Sequence, residues 1–194
     1  MINQAIAFLV EAVFDLFILS ALVRFWMQVL RAPARNPLAQ FTMALTDFAV
    51  KPLRRVVPGL WGLDIASFAV AWGAEVVLLA ILSLLQGVEL VNGTALSVIL
   101  FLAAVKLVRL TIYIIMGAVF LQALLSWVNP YHPVAPFFEA LTRPFLKPFQ
   151  KAVPPIGGVD ITPVLVLIAC QLVLMLPVTW LESEAVRMIA RFAL

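Results

Sequence analysis

The chain has 194 residues, of which 64% are hydrophobic and only 12% charged, with a formal net charge of +3. Soluble domains carry about 25% charged residues, and this composition in water would expose large contiguous apolar patches. That excludes an ordinary soluble domain, while one cysteine, Cys170, excludes an internal disulfide and any CxxC-type metal pattern. The chain reads as an all-α integral membrane protein.

A bilayer core about 30 Å thick takes about 20 mostly apolar residues as helix, and an isolated strand would leave its backbone unpaired in lipid. The first span is predicted over about 5–30. It lacks a basic leading segment and a small-residue cleavage site, and Glu11 and Asp15 lie inside it, so it reads as a retained span rather than a cleaved signal. A basic segment over 31–64 follows. Asn36-Pro37 suits an N-cap and first helical position, and Leu38, Phe41, Leu45 and Phe48 then form an apolar stripe at helical spacing. Pro52 is expected to end or kink that helix. The second span is predicted over about 65–85.

The third apolar stretch, 95–128, exceeds one perpendicular span. Residues 96–105 read as a partly interfacial lead-in and 107–128 as the span, with one long tilted helix as the alternative. A second basic loop covers 129–160. His132-Pro133 is expected to open its helix, with a stripe of Val134, Phe137, Phe138, Leu141 and Phe145 and an end or kink at Pro148. The fourth span is predicted over about 161–181. From Leu181 onward a short surface helix is expected, with Glu182 and Glu184 early and Arg187 and Arg191 later.

The two loops are copies. "TDFAVKPLRRVVPGLWGLDI" (46–65) and "TRPFLKPFQKAVPPIGGVDI" (142–161) match at eight of twenty positions without a gap. Trp26 pairs with Trp127 before them, and Glu75 with Gln171 after them. Each unit, 1–92 and 93–194, is span, amphipathic loop, span. Two spans per unit leave both copies in the same orientation, a parallel repeat. The fold class expected is four transmembrane helices as two parallel two-helix repeats, each with an interfacial hairpin.

With these residues in view the sequence resembles the YggT family of bacterial and plastid membrane proteins over nearly its whole length. The pattern is Arg24 near the span end, then Thr46, Lys51, Pro52, Arg55, Pro58, Gly62 and Asp64. Its second appearance is Thr142, Pro144, Lys147, Pro148, Lys151, Pro154, Gly158 and Asp160. The first copy departs from Thr-x-Pro by carrying Phe48. The resemblance implies the four-span architecture. It also implies associations with osmotic tolerance and potassium uptake, with cell-division gene neighbourhoods and with plastid cytochrome b haem assembly, and no single activity.

Lysine and arginine set the expected orientation. The two repeated loops hold Arg31, Arg35, Lys51, Arg54, Arg55, Arg143, Lys147 and Lys151, eight in all, against four at most on the other side, Lys106, Arg109, Arg187 and Arg191. This places the loops in the cytoplasm and both termini in the periplasm of a bacterial inner membrane. There the basic groups meet anionic headgroups and the aromatic stripes sink into the headgroup boundary. Prolines stop the interfacial helices, glycines permit the turn back, and Asp64 and Asp160 cap the following spans or pair with Lys51 or Arg55.

The intramembrane polar residues are Glu11, Asp15, Arg24, Glu75, Lys106, Arg109 and Gln171. Charges at that depth need partners. Glu11 and Asp15 are expected to face Lys106 and Arg109, with the first span beside the third. A protonated Glu75 is expected to bond to Gln171 or Asp15, with cation binding as the alternative. Arg24 is expected to snorkel to the surface as an anchor. His132, the one histidine, excludes bis-histidine haem ligation within one chain. No catalytic, cofactor or metal motif appears, and nucleic acid is not an expected partner. The expected function is a non-enzymatic accessory or assembly factor on a larger membrane complex or in a homo-oligomer. The alternative is a component of potassium uptake in osmotic stress.

Overall fold

The computed structural model describes residues 2–57, 59, 63–87, 93–153 and 160–192. Pro58, Gly62, Pro154 and Gly158 of the repeated motif lie outside them. The elements are α1 (Ile2–Val29), α2 (Pro37–Val56), α3 (Ile65–Leu85), α4 (Gly93–Val128), α5 (Ala135–Ala152), α6 (Thr162–Val173), a π-helical turn (Leu174–Val178) and α7 (Thr179–Phe192). Among the described residues, four helical stretches are long and apolar enough to cross a bilayer: Ile2–Val29, Ile65–Leu85, Leu96–Val128 and Thr162–Met188. The order long helix, amphipathic helix, long helix occurs twice, as the repeat predicts.

The third span is one unbroken helix. At 1.5 Å per residue the 36 residues of α4 reach about 54 Å. No break separates 96–105 from 107–128, because Lys106 and Arg109 find partners on neighbouring helices. The C-terminal segment also differs from expectation. Helix continues from α6 through the π turn, which carries Pro177, into α7. There α7 packs on α4, and Ala185 is fully buried among Leu79, Val98, Ile99, Leu102 and Ala103. It is part of the bundle rather than a separate surface helix.

Asn36 caps α2 as expected, its side chain accepting the Ala39 N–H at 2.9 Å, with Pro37 in the first turn. Neither Pro52 nor Pro148 ends its helix: α2 runs on to Val56 and α5 to Ala152. A helical proline forfeits one hydrogen bond and crowds the carbonyl four residues back. Here both prolines are exposed, and the opposite faces are anchored by buried Thr46 and Val50 in α2 and Thr142 and Leu146 in α5. The start of α5 is also displaced. It begins at Ala135 with Pro136 in the first turn and no side-chain cap, so Pro133 precedes the helix.

The two aromatic stripes have different fates. In α2 the stripe points outward, with Phe41 53% and Phe48 73% exposed. In α5, Phe137, Phe138 and Leu141 are buried in a cluster with Met27, Ala39 and Ala118. The second stripe therefore fills the seam between the repeats instead of meeting headgroups. Helix α1 packs chiefly on α3 and α2 and touches α4 only lightly, partly through Trp26 Nε1 donating to Thr111 Oγ1 at 3.1 Å.

Candidate functional site

Polar groups concentrate where α1 ends, α2 crosses it and α3 begins. Arg24 lies in the penultimate turns of α1 and is 7% exposed, so it does not snorkel to the surface. Its Nη1 donates to Thr46 Oγ1 at 2.9 Å and to Asp47 Oδ1 at 2.8 Å. Its Nε lies 4.0 Å from Asp64 Oδ2. Asp47 also pairs with Lys51 at 2.7 Å, one helical turn on. Asp64 caps α3 by accepting the Ser67 N–H at 3.3 Å. It further accepts from Ser67 Oγ and, in a two-pronged contact, from Arg54 Nε and Nη2. Neither Lys51 nor Arg55 holds Asp64. Arg55 stands exposed in the last turn of α2.

The second copy builds the same frame with neutral glutamines in place of the arginines. Buried Thr142 contacts Gln122 Oε1 of α4 and donates to the Phe138 carbonyl at 2.8 Å. Gln150 Nε2 donates to Asp160 Oδ2 at 3.0 Å, and Asp160 accepts the Thr162 N–H at 2.9 Å. Gln150 stands at the place of Arg54 and Gln122 at the place of Arg24. The repeated threonine thus docks each amphipathic helix onto the preceding span. The residue ten before each aspartate clips helix to span across the turn. Trp26 and Trp127 are not equivalent in setting: Trp127 is 72% exposed. Lys147 and Lys151 are exposed on α5.

Charges within the spans pair differently from the sequence expectation. Lys106 Nζ lies 3.4 Å from Glu75 Oε1, and Arg109 Nη2 lies 2.5 Å from Glu182 Oε2 and 3.4 Å from Thr179 Oγ1. Glu11, Asp15 and Gln171 are exposed, and neither acid of α1 forms an ion pair among the described residues. The cause is register: Glu75 of α3, rather than the acids of α1, meets Lys106, and α7 supplies the fourth charge. Glu182 was legible only as a helix-terminal acid, and Asp47, Gln122 and Gln150 carried no signal outside the repeat alignment. No cluster of metal-ligating side chains occurs among the described residues.

Electrostatics tie the first-copy site to pH. Hydrogen bonds from Lys51 and then Arg24 hold the Asp47 carboxyl below its ordinary value. Burial alone would raise Asp64, but Arg54 and Ser67 outweigh it and hold it low. Asp160 behaves similarly, burial being overcome by Thr162 and Gln150. A carboxyl lowered in the folded state stabilises above its unfolded value, about 3.9, and that stability is lost as pH falls through the folded value. Thermal unfolding in detergent should therefore change little from neutral pH down to about pH 5 and fall steeply in stronger acid. Asp64→Asn should start lower and show a shallower acid fall. An unchanged acid slope in that variant contradicts this assignment.

The family model for CCB3/YggT matches residues 3–85 and again 101–181. The chain belongs to the CCB3/YggT family. Its two matched segments each run from a long span through the amphipathic helix into the next span, so the family pattern coincides with the frame just described. An uncharacterised protein of Pseudomonas aeruginosa is 32% identical over 94% of this chain and 92% of its own length. A protein of Vibrio alginolyticus is 30% identical over 87% and 90%. The YggT protein of Escherichia coli K12 is 29% identical over 85% of both chains. No solved structure matches.

Proposed function

We propose that this YggT-family chain is a non-enzymatic accessory or assembly factor that sits beside a larger complex in a bacterial inner membrane and engages anionic lipid. The observation that carries this reading is the outward stripe of α2. Leu38, Phe41 and Phe48 are exposed on a helix whose last turn holds Arg54 and Arg55. An amphipathic helix of that kind lies in the headgroup boundary of an anionic leaflet. The excess of lysine and arginine in the repeated loops supports a cytoplasmic position for them, with periplasmic termini. Lys106 already supplies an ammonium opposite Glu75, which favours the accessory reading over cation uptake.

A photo-crosslinking residue at Phe48 should trap one defined membrane protein in intact cells, and reciprocal purification should recover the same complex. The same residue at buried Phe138 should trap none. Reconstituted vesicles should show no potassium flux. Flux abolished by Glu75→Gln, with no adduct at Phe48, would overturn the accessory reading in favour of transport.

A further inference from the structure

Each repeat forms a small pocket at the end of its first span, and the two differ in charge. The first, about 340 Å³, is lined by Arg24, Met27, Gln28, Arg31, Met43 and Arg54, with alanines completing it. The second, about 220 Å³, is lined by Gln122, Leu125, Ser126 and Glu139 with two further residues. The correspondence is direct. Arg24 and Gln122 both meet the buried threonine of their own repeat. Met27 and Leu125 follow three residues later, Gln28 and Ser126 four later. Met43 and Glu139 precede the threonine by three. The same fold thus presents three arginines in one copy, and in the other a carboxylate, Glu139, that also lines a neighbouring pocket with Arg143 and Lys147.

Arg31, exposed at the rim of the first pocket, holds a backbone position that favours glycine. It has φ 52°, in the left-handed region. The Ala32 N–H bonds to the Met27 carbonyl at 2.8 Å and the Arg31 N–H to the Gln28 carbonyl at 3.2 Å, the pattern that closes a helix with glycine at this position. Arginine there holds a left-handed conformation that glycine adopts without strain. The cations also outnumber the acids. Three arginines line the pocket, Arg24, Arg31 and Arg54, and no carboxylate does; Asp47 and Asp64 pair with Arg24 and Arg54 beside it, and Arg31 has no ion pair among the described residues. The acids occupy only part of the five donors of each guanidinium.

We infer that this pocket binds a phosphate-bearing anion, and that its source is the headgroup of an anionic phospholipid. The pocket lies where a span meets the surface, and Met27 and Met43 give its wall the apolar character that suits the glycerol region of a lipid. Guanidinium groups bind phosphate through paired, charge-assisted hydrogen bonds. The inference rests on the interfacial placement proposed above and narrows it to one pocket of one repeat.

The test uses full-length protein in nanodiscs of phosphatidylcholine with or without phosphatidylglycerol, read by native mass spectrometry and thermal unfolding. Wild type should retain one phosphatidylglycerol on release. Arg31→Gly should lower that retention about tenfold, the loss of one charge-assisted phosphate contact, while keeping or raising thermal stability because glycine suits the backbone there. Arg55→Gln, which removes an exposed cation outside the pocket, should change retention less than about twofold. If inorganic phosphate protects the protein in pure phosphatidylcholine as well as phosphatidylglycerol does, the pocket stands and free phosphate is its ligand. Equal losses in Arg31→Gly and Arg55→Gln would mean diffuse surface attraction and overturn the pocket while leaving interfacial placement intact. No effect of either anion, or of Arg31→Gly, also overturns the pocket, and the Phe48 crosslink judges the accessory reading separately.

Discussion

Asp64→Ala should destabilise the protein by about 3–5 kcal/mol, the range for removing one partner of a buried ion pair. Asp64 is 3% exposed and does several things at once. It caps α3 through Ser67, takes both prongs of Arg54 and stands within reach of Arg24. Its loss leaves two guanidinium groups facing each other's charge at the base of a span. Asp160→Ala should cost only about 1 kcal/mol, because Ile161 rather than Asp160 stands at the N-cap of α6 and Asp160 contributes a bond to its first N–H. Asp160 is exposed and its partners Gln150 and Thr162 are neutral, so no charge is stranded. Chemical denaturation in mild detergent measures both. Equal losses would show that the charged clip of the first repeat contributes no more than the neutral clip of the second.

Lys106→Met should cost about 3 kcal/mol, because Glu75 then faces lipid-depth surroundings without its cation. Glu75 is 5% exposed on a helix with no other charge in its span. The double variant Glu75→Leu, Lys106→Met should recover most of that loss, since apolar side chains of similar volume often replace a buried ion pair at little cost. A double-mutant cycle on these two positions gives the coupling directly. If the double variant is as unstable as the sum of the singles, the pair is not coupled and the 3.4 Å approach has no energetic meaning.

The four spans, the Asn36 cap and the duplicated order were legible because they rest on local composition and spacing. The motif also showed where the polar frame would lie. Which charge meets which was not legible, since that depends on the relative rotation and offset of helices far apart in sequence. Glu11 and Asp15 share a helical face with each other, yet α1 turns that face outward and α3 brings Glu75 to Lys106 instead. Arg24 near a span end reads as an anchor until α2 is laid across it. The prolines misled for a related reason. A local rule predicts helix ends at Pro52 and Pro148, and buried threonine faces elsewhere on the same helices override it. The spacing from Arg54 to Asp64 and from Gln150 to Asp160 was visible in the aligned copies, but a neutral glutamine opposite an arginine hid its shared role.

The uninterrupted helix α4 has a consequence for how the chain is made. Leu107 completes the cluster of Ile18, Ala21, Leu22, Ala71 and Leu78, Lys106 answers Glu75, and Thr111 receives Trp26. All three lie on a segment that leaves the ribosome after α3. The amino-terminal half therefore waits, already inserted, for the first helix of its own duplicate before its packing can close. Split into separate polypeptides at the junction, the halves would each insert alone and close their packing only on meeting in the bilayer.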